Sequence, residues 1–187
     1  MTTAGIIAIV VVVILVFIVI GMYNSMIKLR NNRENAFADI DVQLQQRHDL
    51  IPQLVETVRG YMKHESETLQ RVIEARSGAM QATTIDEKIV AEGKLTSAMQ
   101  GLKITFEQYP DLKASANFKQ LQEEISDVEN KLAASRRFFN SATKEYNNSV
   151  ETFPANIIAG MFNFRKEISF DLGTDRATVS AAPKIQF

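Results

Sequence analysis

An all-α protein hung from one membrane-spanning helix is the fold this sequence predicts, on three observations. The stretch AGIIAIVVVVILVFIVIGMYNSMI, Ala4 to Ile27, carries no charged side chain. Beyond it, apolar residues recur at alternating spacings of three and four, the period of helices packed along a heptad seam. Glycine is almost confined to the junctions between these stretches, and after the anchor only the final PKIQF hints at strand alternation. The predicted architecture is a transmembrane helix continuous with a long antiparallel, four-helix-bundle-like domain, then a short apolar helix and an extended C-terminal tail. Residues 1–27 form the anchor, 28–153 the bundle, 154–166 the apolar segment and 167–187 the tail.

The anchor is longer than the hydrophobic core of a signal peptide. A spanning helix needs about 20 apolar residues, whereas a signal peptide has a basic start, about 7–15 apolar residues and a small-x-small exit. No Lys or Arg precedes this core and no such exit precedes YNSMIKLR, so the expectation is an uncleaved, single-pass membrane anchor. Lys28, Arg30 and Arg33 follow the span, and basic residues are retained on the cytoplasmic side. The rule favours a short N-terminus outside and the main domain in the cytoplasm. Glu34 and Asp39 follow closely enough to leave the opposite orientation open.

Phe37, Ile40, Leu44, Arg47, Ile51, Leu54 and Val58 continue in phase with the anchor, which predicts one helix to about Arg59. Pro52 lacks an N–H and crowds the carbonyl of His48, which predicts a bend there. Gly60 and the capping candidate Ser66 mark the first turn. A second helix, about Glu65 to Gln81, is expected to turn Leu69, Val72, Ile73, Ala79 and Met80 inward. Thr84, with Glu87 three residues on, makes a capping box for the third helix. That helix carries Ile85, Ile89, Leu95, Met99, Leu102 and Phe106, with Glu92 on the same seam. Pro110 breaks the pattern. The fourth helix is the most regular, with Phe118, Leu121, Ile125, Val128, Leu132, Ser135, Phe139, Ala142, Tyr146, Ser149 and Phe153 in heptad phase up to Pro154.

Lengths turn this list into a path. At about 1.5 Å per residue the soluble part of helix one and helix four each reach roughly 50–55 Å, and the middle two about 25–35 Å. Short loops make neighbours antiparallel, so helix four returns toward the membrane and delivers FPANIIAGMFNF, Phe153 to Phe164, near its surface. The segment is too short to span and too apolar for water. Ile157, Ile158, Met161 and Phe162 share one face of a short helix after Pro154. Three uses are open: contact with the lipid bilayer, contact with another subunit, or a cap on the chain's own bundle.

Composition narrows the chemistry. A net charge of −1 in 187 residues gives no electrostatic case for nucleic acid, and the absence of cysteine removes thiol catalysis and cysteine-based zinc sites. His48 and His64 lack the i, i+4 partner of a helical zinc site, and no Glu-x-x-His pair or phosphate-binding glycine loop occurs. Glu123, Glu124, Asp127 and Glu129 form a solvated helix face. No enzyme activity, cofactor or metal is expected. Two polar features stand out. Arg47 and Glu92 lie on seams, where they either face solvent through a register slip or form a buried ion pair that sets register. The pairs Phe139-Asn140 and Tyr146-Asn147 place rings in a seam and amides at its edge, within reach of a neighbouring helix or subunit.

DIDVQLQQRHDLIPQLVETVRGYMKHESETLQRVIEAR, YPDLKASANFKQLQEEISDVEN and YNNSVETFPANIIAGMFNF closely resemble the LemA family of bacterial membrane proteins. The resemblance covers nearly the whole chain. It departs at Phe139-Asn140, where the family usually has Tyr-Asn, so one hydroxyl is lost. The resemblance implies a single-pass, mainly helical protein of no settled biochemical activity. Some members resemble proteins of bacterial organelle membranes, and others are encoded near HtpX-type membrane proteases. Two functions follow as expectations: a non-enzymatic scaffold that forms a homo-oligomer and organises membrane or partner proteins, or an adaptor of a membrane enzyme such as a protease.

Overall fold

In a computed structural model, residues 3–62 and 65–170 are described, so His64, PKIQF and most of the tail lie outside the described residues. The described residues are helical, in the order α1 (Thr3–Arg59), α2 (Ser66–Gln81), α3 (Ile85–Phe106), α4 (Pro110–Ala114), α5 (Ala116–Glu151) and α6 (Ala155–Met161), with no strand among them. The chain divides into two compact units: residues 1–39 with 135–169, and residues 40–134 with 170–187. Helices α1 and α5 each contribute to both.

α1 runs for 57 residues from the anchor through Pro52. Its first turns, Ile6 to Ile20, expose almost every large apolar side chain, as a helix surrounded by lipid must. Its later turns bury all seven predicted seam residues, Arg47 among them. In the second unit, Ile51, Leu54 and Val58 of α1 meet Leu69 and Val72 of α2, Leu95, Met99 and Leu102 of α3, Leu112 of α4 and Phe118 of α5 in one core. Phe106 and Phe118 close it edge to face, with ring centroids 4.9 Å apart.

Several local expectations change. Ile73 and Met80 of α2 are exposed, because its buried stripe runs through Leu69, Val72 and Ala79 alone. Ser66 lies within the first turn of α2, and Glu65 holds the cap position without a side-chain hydrogen bond. Proline 110 opens a separate one-turn helix, α4, rather than a plain break. In α5 the seam holds from Phe118 to Tyr146, then moves from Ser149 to Val150, and Phe153 is exposed. A straight helix drifts about 20° per heptad against a seven-residue repeat, so the buried stripe shifts by one residue over five repeats.

The capping box at the start of α3 forms in full. The Glu87 backbone N–H donates to Thr84 Oγ1 at 3.2 Å, and the Glu87 carboxylate accepts from the backbone N–H groups of Thr83 and Thr84, each at 3.0 Å. Those backbone donors hold its pKa down to about 2 from an ordinary 4.5. A carboxyl whose folded pKa is depressed supports the fold above its unfolded pKa and loses that support as pH falls toward the folded value. The first turn of α3 should therefore fray between about pH 4.5 and pH 2. Amide exchange at Lys88 and Ile89 checks this, and Glu87→Ala should remove the pH dependence.

Candidate functional site

Each unit holds a buried arginine network. In the second unit Arg47 and Glu92 are both buried, with Arg47 Nη1 3.3 Å from Glu92 Oε2. His48, one residue on, puts Nε2 2.6 Å from the other carboxylate oxygen, and Arg47 also donates to Thr96 Oγ1 at 3.2 Å. Arg76 of α2 donates to the His48 backbone carbonyl at 2.7 Å, which ties α2 to the same turn of α1. Arg47 Nε has no hydrogen-bond partner among the described residues. A buried ion pair with a donor left over adds little net stability, because desolvation offsets its attraction, but removing one partner strands a charge. The arrangement suits fixing helix register.

In the first unit Arg33, which sequence reasoning treated only as a basic flank, is buried. Its Nε donates to Thr143 Oγ1 at 3.2 Å, Nη2 to the Ile168 carbonyl at 3.1 Å, and Nη1 lies 3.3 Å from Glu167 Oε2. Its guanidinium also sits 4.9 Å over the Phe139 ring, which packs edge to face on Phe37 at 5.4 Å. One side chain of α1 thus grips α5 and the strand of chain that follows α6. Of the three basic residues that flank the span, this one has its charge matched within the fold.

Asn147 holds the same returning chain. Its Nδ2 donates to the Glu167 carbonyl and its Oδ1 accepts from the Glu167 N–H, both at 2.9 Å. This is the geometry of a strand pair made by one side-chain amide. Tyr146, beside it, is buried, and burial, assisted by the nearby Glu167 charge, raises its phenol above the ordinary value. Phe139 is buried and Asn140 half-buried. The two aromatic-Asn pairs accordingly belong to the packing of this unit, the second as a backbone clamp.

The apolar turn α6 sits against the end of the span. Ile158, Ala159 and Phe164 bury themselves with Met26, Tyr146 and Val150, flanked by Val19, Met22, Tyr23 and Ile27. Asn163 ends the turn in the left-handed region at φ 60°, and the Phe164 N–H reaches the Ala159 carbonyl at 2.9 Å. That six-to-one bond folds Phe164 back onto the turn, and Asn is among the few residues that tolerate the conformation. The predicted outward face is corrected here. Ile158 is 7% exposed and part of the core, whereas Ile157, Met161 and Phe162 are 55%, 72% and 50% exposed, and Phe153, just ahead of the turn in sequence, is exposed too. Residues 157 and 158 are about 100° apart on a helix, so one packs and the other does not.

Among the described residues no cluster of His, Asp or Glu is placed to hold a metal ion. A second surface feature is an open groove between α1 and α5, lined by Asn32, Ala36, Asp39, Ser141, Ala142, Glu145 and the exposed Phe138.

The profile of the LemA family matches residues 36–187. Protein LemA of Metamycoplasma hominis is 30% identical over 145 residues, which cover 76% of this chain and 66% of that protein. The magnetosome protein MamQ of Magnetospirillum gryphiswaldense is 21% identical over 170 residues, covering 77% of this chain and 62% of MamQ. Magnetosome protein MamQ 2 of Paramagnetospirillum magneticum is 20% identical over the same shares. The chain spans a little under two thirds of the length of these curated relatives.

Two measurements probe the networks. Glu92→Leu should lower stability by about 3–5 kcal/mol by stranding the Arg47 charge, and adding Arg47→Leu should restore most of the loss in thermal unfolding. Asn147→Ala should cost about 1–3 kcal/mol and speed exchange of the Glu167 amide.

Proposed function

This chain belongs to the LemA family, and from that premise we propose that it is a non-enzymatic, membrane-anchored helical scaffold that self-associates and organises membrane or partner proteins. Its membrane association rests on the exposed apolar start of α1. The observation that carries self-association is the α1/α5 groove of the first unit. Ala36, Ser141 and Ala142 line it together with Phe138, whose ring is 61% exposed. An exposed aromatic ring in an open groove is surface that a second copy related by a two-fold axis would cover. Asn32, Asn35, Asp39 and Glu145 supply a polar rim.

The magnetosome proteins among its relatives support a role in an assembly at a membrane. The proposed location is the bacterial inner membrane, with the N-terminus outside and the helical units in the cytoplasm. Lys28 and Arg30 after the span support that orientation. The second reading, an adaptor of a membrane enzyme such as a protease, differs in what travels with the protein.

Gentle detergent extraction with mass measurement separates them. A homo-oligomer is expected, and Phe138→Glu should shift it toward monomer without lowering the unfolding temperature, because the ring is exposed. A stoichiometric heterocomplex in place of a homo-oligomer would favour the adaptor. Monomer under every condition, with membrane crosslinking in agreement, would end the scaffold reading.

A further inference from the structure

We infer that the outward face of α6, with Phe153, Ile157, Met161 and Phe162, lies in the bilayer at the boundary of headgroups and acyl chains, as a second membrane contact besides the span. Depth is the first argument. From Ala4 to Tyr23 a helix rises about 29 Å, close to the roughly 30 Å thickness of a hydrocarbon core. Tyr23 therefore falls where the span leaves the hydrocarbon, the level at which tyrosine rings gather.

The second argument is what holds α6 at that level. Tyr23 packs edge to face on Phe162, with centroids 4.8 Å apart, and on Phe164 at 5.5 Å. Val19, Met22 and Ile27 of the same part of α1 pack against the cluster that Ile158, Ala159 and Phe164 form with Met26, Tyr146 and Val150. Phe162 is thus half exposed while touching the ring that marks the interface.

The third is the arrangement of polar groups. Lys28, Arg165 and Lys166 are exposed, and Arg30 lies 5.6 Å over the Phe164 ring. Charged groups follow the aromatic layer immediately, as they do where a chain passes from acyl region to headgroups. The exposed apolar face of α6 belongs to the same unit as the lipid-facing start of α1 and meets its end, so the occupant favoured is lipid. This inference does not depend on self-association.

The chain has neither tryptophan nor cysteine, so single tryptophans report cleanly. Met161→Trp and Ile157→Trp, each in the full-length chain, are compared with Val13→Trp in the span and Ile104→Trp on an exposed position of α3. All are reconstituted into phosphatidylcholine vesicles carrying lipids brominated either close to the headgroup or near the chain end. Met161→Trp and Ile157→Trp should lose most of their emission to the headgroup-proximal bromines. Val13→Trp should respond most to the chain-end bromines, and Ile104→Trp to neither. Helical content by circular dichroism should match the unsubstituted chain, and either α6 variant that meets this standard suffices.

Emission at α6 that is red-shifted and unquenched would place the face in water and overturn the inference. Emission that is blue-shifted, unquenched and sensitive to dilution of protein in lipid would name a second copy as the occupant and also overturn it. Quenching in a monomer would keep the inference while removing the scaffold. An intact oligomer without quenching would do the reverse.

Discussion

Arg33 is the interaction on which the membrane-side unit depends. A guanidinium taken out of water is tolerated only where its N–H groups are met, because an unpaired buried charge costs several kcal/mol. Here they are met by Thr143 on α5 and by Glu167 and Ile168 on the chain after α6. Those partners are distant in sequence and have no reason to adjoin α1 except through this side chain and the core around it. Asn147 fixes Glu167 from the other side through two backbone hydrogen bonds. With residue 167 clamped and Phe164 folded back by the Asn163 turn, α6 has little freedom in where its outer face points.

The same device occurs farther along α1, where Arg47 meets Glu92 and Thr96. The two arginines are two heptads apart on one helix stripe. Counting back from Phe37 by four, three and four gives Arg33, Arg30 and Met26, and two of these are buried and Arg30 half-buried. An apolar seam with a charge at two separated steps accepts fewer helix registers than a uniform one, since any slip leaves a guanidinium without its partners. The seam supplies attraction and the arginines supply discrimination.

Part of this arrangement is legible in the sequence. Helix existence, the junctions and the α3 capping box follow from local pattern, and the heptad phase picks out the buried face of α1, α3 and most of α5. The resemblance of the chain to the LemA family was carried by its motifs, and the family profile matches residues 36–187. Arg33 was readable in principle, by extending the seam backward, but a basic residue after a span has a second explanation in membrane topology. His48 has no partner at helical spacing in its own segment, because its partner Glu92 lies on another helix. Ile158 and Ile157 are equivalent in composition and adjacent in position. Only the placement of Met26, Tyr146 and Val150 decides which of them packs.

That division between adjacent residues separates the fold of α6 from its use. Ile158, Ala159 and Phe164 already fill the space against α1 and α5, so the core of the unit is complete without the outer side chains. Phe153, Ile157 and Met161 stay largely outside it and Phe162 meets it through the Tyr23 ring, yet fully burying one such side chain contributes about 1.5–3 kcal/mol. Exposed apolar residues occur singly on ordinary surfaces and need no account there. Four on one short segment, beside a ring at the end of a membrane span, are a different case, because water is the least favourable of the available surroundings. A charge at Ile158 would damage the core and report on folding. A charge at Ile157 or Met161 would leave the core intact and report on whatever covers the face.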